Sequence, residues 1–458
     1  MADGAGDTGG LMFKSLMASR RFAPLFWCQF CSALNDNFLK NALVMLILFG
    51  LGGAGGYGEG SATLVTLAGI VFIAPFFILS ALGGEMADRY DKAFVASRIK
   101  LAEIPVAGLA AIGFYLHSVP VLFVTLGLFG IIAALFGPVK YGLLPEKLQT
   151  AELPAGNALV EGATFLAILI GTIGGGIAVA EAKSPELVVV IILVLALGSW
   201  LFARSIPRAG PAAPELFLTP NPWTSTIALL RELRPDARLW GGAHIVSWFW
   251  VVGSVALSLL PALVRDVIGG TEGVVTLCLT VFVIGIAAGS ALAARQSHGT
   301  PNLSLVPQGA TMIGLSALVL GGLAMLTYPT TPAIGPWELI GTVRGLALLV
   351  ALLTLATAGG LYIVPSFASV QAWSPPDRRA RVIAAVNVMN AAYMVVGGAV
   401  VAGLQAAGLG VGVLFAALGG LTFAFMAYVL RGWLADIERV RASEPASAFT
   451  AAKQPCLH

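Results

Sequence analysis

Near the start of the chain, Asn35, Asp36, Asn37, Lys40 and Asn41 interrupt an otherwise apolar run. At about 100° per residue, Asp36, Asn37, Lys40 and Asn41 fall within an arc of about 140°, so one face of this helix is polar. A charge near the middle of a bilayer costs roughly 2.5 to 3.5 kcal/mol on insertion scales. Such a face must look toward a wet interior or toward partner charges. Two readings follow: Asp36 and Asn37 handle a charged ligand, or Asp36 and Lys40 form an i, i+4 pair that serves packing. Farther on, Lys140 follows Gly137-Pro138, and Asn157 and Glu161 precede a run of small residues from Gly171 to Gly176. If these helices descend and rise in turn, Lys140, Asn157 and Glu161 lie at similar depth and form one cluster. The glycines read as close helix contacts. Asn387 and Asn390 are the polar candidates late in the chain, with Trp248, Phe249 and Trp250 as an apolar wall.

Other patterns carry less chemistry. Cys28 and Cys31 have C-x-x-C spacing but sit in an apolar run without a second Cys or His pair, so packing explains them better than metal or redox work. The glycine-rich stretch Gly50 to Gly60 lacks the Lys-Ser or Lys-Thr of a phosphate cradle and reads as a connector. No cofactor or metal is implied.

The elements that position these residues follow from composition. With 58% hydrophobic and 11% charged residues in 458, water is not the main solvent of this chain. Crossing a bilayer takes about 20 apolar residues. Apolar segments at 22–50, 61–84, 94–117, 119–144, 154–181 and 185–206 form a first half, 22–206. Those at 239–264, 272–295, 305–328, 342–367, 381–405 and 408–433 form a second, 239–433. Residues 1–21 read as an N-terminal tail and not a signal peptide, 207–238 as a linker that is a plain tether or carries a short surface helix, and 434–458 as a poorly ordered tail. Lys and Arg gather at Arg89 to Lys100, Arg204 to Arg238 and Arg378 to Arg381, whereas the opposite loops hold little beyond Lys183 and Arg265. The positive-inside rule puts both termini and the linker near Arg231 in the cytoplasm, and Gly56 and Lys183 outside.

The halves echo one another: Gly137-Pro138 and then Asn157 correspond to Pro365 and then Asn387. This organisation is that of an all-α integral membrane protein of the major facilitator fold, with about twelve transmembrane helices in two six-helix halves. The stretch Gly84 to Lys92, GEMADRYDK, resembles the signature loop between helices two and three of that superfamily. The resemblance implies a conformational latch of Gly84, Asp88, Arg89 and Lys92. Gly84 would allow close helix approach, Asp88 would meet a helix N-terminus, and Arg89 and Lys92 would sit among lipid phosphates. The equivalent loop from Gly289 to Arg295 has Ala293 in place of the acid, so a second latch is expected to be weak or absent.

SALNDNFLKNAL, GPVKYGLLPEKL and AGNALVEGATFLAILIGTIGGG resemble segments of the bacterial lysophospholipid transporters, including transporter domains fused to acyltransferase and acyl-ACP synthetase modules. That resemblance implies a flippase that moves lysophospholipid across the inner membrane by alternating access. It places Asp36, Asn37, Lys140, Asn157 and Glu161 on the substrate path, and makes a separate acyltransferase or acyl-ACP synthetase a partner beside membrane lipids, with no nucleic acid. The rival within transport is an exporter of amphipathic drugs or metabolites. An acyltransferase would need a His with Asp five residues on, which His117, His244 and His298 lack, so catalysis is not expected.

Overall fold

The computed structural model describes residues 5–49, 61–180, 185–297, 300–327, 329 and 332–443. The Gly50–Gly60 stretch, with Gly56, and the positions Lys183 and His298 lie outside the described residues. The first half contains α1 (Ala5–Ala18), α2 (Ala23–Phe49), α3 (Ser61–Arg89), α4 (Lys92–Tyr115), α5 (Val119–Lys147), α6 (Leu153–Ala180) and α7 (Glu186–Arg204). The linker carries α8 (Pro222–Leu233). The second half contains α9 (Ala237–Ala262), α10 (Glu272–Arg295), α11 (Leu305–Met325), the short α12 (Pro336–Ile340), α13 (Val343–Trp373), α14 (Arg379–Ala406), α15 (Val411–Phe425) and α16 (Arg431–Ser443). Single π turns continue α9 through Ile268 and join α15 to α16.

Among the described residues, ten helices are long and apolar enough to cross a membrane. With 27 and 24 residues, α2 and α4 are also long enough to cross. What sets them apart is their interior polarity: Asn35 to Asn41 on α2, and Lys100 and Glu103 on α4. The polar side chains of these two crossings meet inside the first half.

Within the first half, α2 packs on α6 and α7, and α5 on α3 and α4; within the second, α13 packs on α10 and α11, and α9 on α14. The halves meet where α14 crosses α3 and α5 and where α6 crosses α10 and α13. Small residues permit the close crossings. A Cβ on Gly171 would come within 2.8 Å of the Leu34 carbonyl oxygen, and one on Gly175 would collide with that of Phe38, so the glycines of α6 are seats for α2. Side-chain caps start several helices where the chain leaves a loop: Asp91 caps α4, Asn221 caps α8, Asp236 caps α9 and Thr342 caps α13.

Three expectations are corrected. The linker is not a plain tether: α8 packs on α3 and α14, with Ser225, Leu229 and Leu233 buried. The tail after Leu434 continues as helix to Ser443, because Trp433 and Ile437 anchor it in the core. Lys92 and Lys100, counted with the basic residues that set topology, are buried against carboxylates.

Candidate functional site

A cavity of about 230 Å³ lies between the halves, lined by Asp36 and Asn37 of α2, Lys140 of α5, Trp250 of α9, and Asn387 and Asn390 of α14. Gln29 and Thr164, joined at 3.0 Å, complete its polar wall, and Phe72, Phe76 and Phe136 form an apolar one. The Asp36 carboxylate and the Lys140 ammonium have no ion-pair partner among the described residues. Lys140 lies 4.6 Å from the centre of the Tyr141 ring, and Asp36 is surrounded by the charges of Lys100, Glu103, Lys140 and Lys40. Opposite charges thus line one cavity without neutralising each other directly, an arrangement that can receive a ligand bearing both signs. The Asn390 amide lies 2.8 Å from Ser247 Oγ and, with its oxygen turned toward the Trp250 indole N–H at 3.3 Å, satisfies both neighbours. Asn387 packs against Gly137, where any Cβ would meet its amide nitrogen at 2.7 Å.

The other candidates stand outside the lining. Lys40 donates to Asn37 Oδ1 at 3.3 Å and forms no ion pair with Asp36, so the i, i+4 packing pair is not made. Asn41 bridges to Thr172 of α6 at 3.2 Å. Glu161 accepts from Tyr141 Oη at 2.9 Å, one layer behind Lys140. Asn157 exchanges hydrogen bonds with Gln371 of α13 at 2.6 and 3.2 Å, so it joins the halves. Of the aromatic wall, Trp250 borders this cavity, and Trp248 borders a neighbouring apolar cleft of about 410 Å³ among α9, α14 and α15. Phe249 packs on Phe165 of α6.

Residues missed by sequence reasoning lie directly behind Asp36. Lys100 and Glu103 on α4 are fully buried and paired at 2.8 Å. Lys100 also donates to Ser32 Oγ at 2.6 Å and stacks over Phe136, and Asn35 donates to Glu103 Oε1 at 3.2 Å. Burying two charges is repaid only when both are fully partnered. The signal was present: opposite charges at i, i+3 inside the apolar segment 94–117. Gln371 and Tyr141, the partners of Asn157 and Glu161, had no comparable sequence signal.

Gly84, Asp88, Arg89 and Lys92, expected to form a latch, lie on the face that carries the linker. Asp88 is fully buried and accepts from the backbone N–H groups of Ala380 and Arg381, each at 3.0 Å, at the start of α14. A carboxylate there compensates the partial positive charge of the helix N-terminus. Gly84 lets α3 touch α14, since a Cβ would come within 2.7 Å of Ala384 Cβ. Lys92 is held between Asp88 at 3.9 Å and Glu146 at 3.2 Å, away from lipid phosphates, and Arg89 lies beside Tyr90. The linker straps the same loop: Ala212 and Ala213 donate to the Asp88 carbonyl, Ala209 and Gly210 to Asp91, and Thr219 and Ser225 to Glu85. In the second half Ala293 is buried and Arg295 is exposed without a carboxylate partner among the described residues.

Sequence comparison decides the family: the profile described as Major Facilitator Superfamily matches residues 25–345. This chain belongs to the major facilitator superfamily. It is therefore a multi-pass membrane transporter. Lysophospholipid transporter LplT of Serratia proteamaculans (strain 568) is 31% identical over 290 residues, which are 61% of this chain and 67% of that protein. The protein of the same name from Enterobacter sp. (strain 638) is 28% identical over 429 residues, covering 90% and 95%. Among solved structures, the human organic anion transporter MFSD10 (TETRAN) superposes with a TM-score of 0.69 at 17% identity, covering 88% of this chain and 98% of that one. The transporter FucP in its outward conformation gives 0.64 at 13%, covering 91% and 99%. These two likenesses carry the fold.

Proposed function

We propose that this chain moves lysophospholipids across the bacterial inner membrane by alternating access, with both termini and the linker in the cytoplasm. The observation that carries the reading is the cavity in which Asp36 and Lys140 face a ligand with no ion-pair partner of their own, beside an apolar cleft. A zwitterionic or anionic headgroup satisfies such charges, and an acyl chain suits a wall of Val, Leu and aromatic side chains. The naming of the relatives from Serratia and Enterobacter as lysophospholipid transporters supports the same substrate class. In this reading Lys140 meets the phosphate, Asp36 meets a headgroup amine, and Asn37, Asn387 and Asn390 orient the glycerol. Lys40, Asn41, Asn157 and Glu161 hold that set in place from behind.

The latch, the Asn157–Gln371 bridge and the Tyr141–Phe367 ring contact at 4.5 Å all seal the linker face. If that face is cytoplasmic, the conformation is closed to the cytoplasm, and release of Asp88 from α14 opens it. The chain performs no catalysis in this reading; a separate acyltransferase or acyl-ACP synthetase consumes the delivered lipid. Proteoliposomes containing the purified protein and a panel of labelled lysophospholipids, run beside a hydrophobic cation, test it. Translocation of lysophosphatidylethanolamine or lysophosphatidylglycerol but not of the cation is expected. Movement of the cation alone would assign the cavity to drug export.

A further inference from the structure

A second charged cleft lies outside the central path. At the linker-side ends of α4 and α7, Arg98, Arg204 and Arg208 surround a space of about 370 Å³ whose lining contains no carboxylate. The three guanidiniums are held by rings and not by counter-charges. Arg98 lies 5.0 Å and Arg208 5.7 Å from the Phe94 ring centre, and Arg204 lies 4.8 Å from that of Trp200. None has an ion-pair partner among the described residues, and the Ser97 hydroxyl in the same lining has no hydrogen bond there. Elsewhere on this face basic side chains do find carboxylates: Lys92 meets Glu146, and Arg378 and Arg381 meet Glu232. All three arginines are exposed, so the cleft is open to a ligand from the surrounding leaflet. Planar guanidiniums match phosphate oxygens in paired hydrogen bonds.

The surroundings decide which phosphate. Leu101 lies in the cleft, and Leu197, Leu201, Val194 and Val190 continue outward along α7 as exposed apolar surface. A headgroup at the arginines would leave its acyl chains on that ridge, as expected for basic pockets at the headgroup level of a leaflet. We propose that Arg98, Arg204 and Arg208 form a binding site for the phosphate headgroup of an anionic diacyl phospholipid of the surrounding leaflet, separate from the transported molecule. Ala209 and Gly210, which follow Arg208, hold Asp91 at the latch loop, so the bound lipid ties linker and latch together. The inference stands whichever molecule the central cavity carries.

The test is lipid retention by the full-length protein in native mass spectrometry, with phosphatidylglycerol and phosphatidylcholine offered together. Wild type is expected to prefer phosphatidylglycerol by about tenfold or more, each Arg→Gln change lowering that preference by about fivefold. The combined Arg98→Gln, Arg204→Gln and Arg208→Gln variant should show none, and Arg204→Lys should keep most of it. The single variants answer the question if the triple variant does not fold. Lys140→Ala should retain the preference in full. Unchanged preference in all arginine variants, loss of it in Lys140→Ala, or displacement of the lipid by millimolar inorganic phosphate would overturn the proposal.

Discussion

The two halves share a helical plan and divide their chemistry unevenly. Inside the crossings of the first half stand Asp36, Lys40, Lys100, Glu103, Lys140 and Glu161; the second half offers Asn387, Asn390 and Gln371 to the same interior, all neutral. At the linker-side loops the contrast repeats, with Asp88 clamped to α14 on one side and Ala293 on the other. A pseudo-symmetric fold therefore need not be a symmetric machine. The first half concentrates the electrostatics, and the second supplies amides and apolar wall. Even the bridges respect this division: Asn157 reaches Gln371 across the boundary, and Asn387 answers by packing on Gly137.

The sharpest way to break the comparison is to disturb the buried charges. Glu103→Gln leaves Lys100 buried without its anion and is expected to cost about 3 to 5 kcal/mol of stability. Thermal unfolding in detergent should show the loss, and Lys100→Met combined with Glu103→Leu should recover most of it. Recovery would mark the pair as a structural base behind Asp36; lost transport in a stable double variant would promote it to the substrate path.

At the latch a comparable free energy is expected to shift a conformational equilibrium and leave the fold in place. Asp88→Ala removes two charge-assisted hydrogen bonds to α14, each worth roughly 1.5 to 3 kcal/mol, and should populate a linker-side-open state while the protein still folds. Spin labels at Tyr90 and Asp377, both exposed, should then report a second, longer distance. An unchanged single distance would show that the Asn157–Gln371 bridge holds the face shut by itself.

The smallest effect concerns the strap. Burial pushes the Asp91 carboxyl up, but the N–H groups of Phe94, Gly210 and Ala209 outweigh it and hold the group below its ordinary range. A depressed pKa contributes stability above the unfolded value of about 3.9 and loses it as pH falls through the folded value. Amide exchange at Ala209 and Gly210, corrected for its intrinsic pH dependence, should stay protected from neutral pH down to about 4 and rise only below that. Deprotection already near pH 6 would detach Asp91 from this role.

These differences mark what the chain reveals before it folds. The crossings were legible because twenty apolar residues have few other uses, and Asp36 stood out because a charge in such a run demands an interior. Lys100 and Glu103 stand in an apolar run as well, yet near a helix end a lysine looks like a topology charge, and only its packing on Phe136 and Ser32 shows otherwise. Gln371 was silent because its partner Asn157 is 214 residues away in the chain. The strap was silent for another reason: Ala209, Gly210, Ala212 and Ala213 act through backbone N–H groups, which every residue but proline carries.

The central claim, that the charged half reads the headgroup, is tested most directly by lysophospholipid translocation in two variants reconstituted side by side. One is Asp36→Asn with Lys140→Ala; the other is Asn387→Ala with Asn390→Ala. Loss of two charged contacts should lower the rate about a hundredfold, and loss of two neutral ones about tenfold or less, each charged contact being worth roughly twice a neutral one. Equal membrane insertion of both proteins is the control. A charge-neutral variant that still transports, beside an amide variant that does not, would contradict the account.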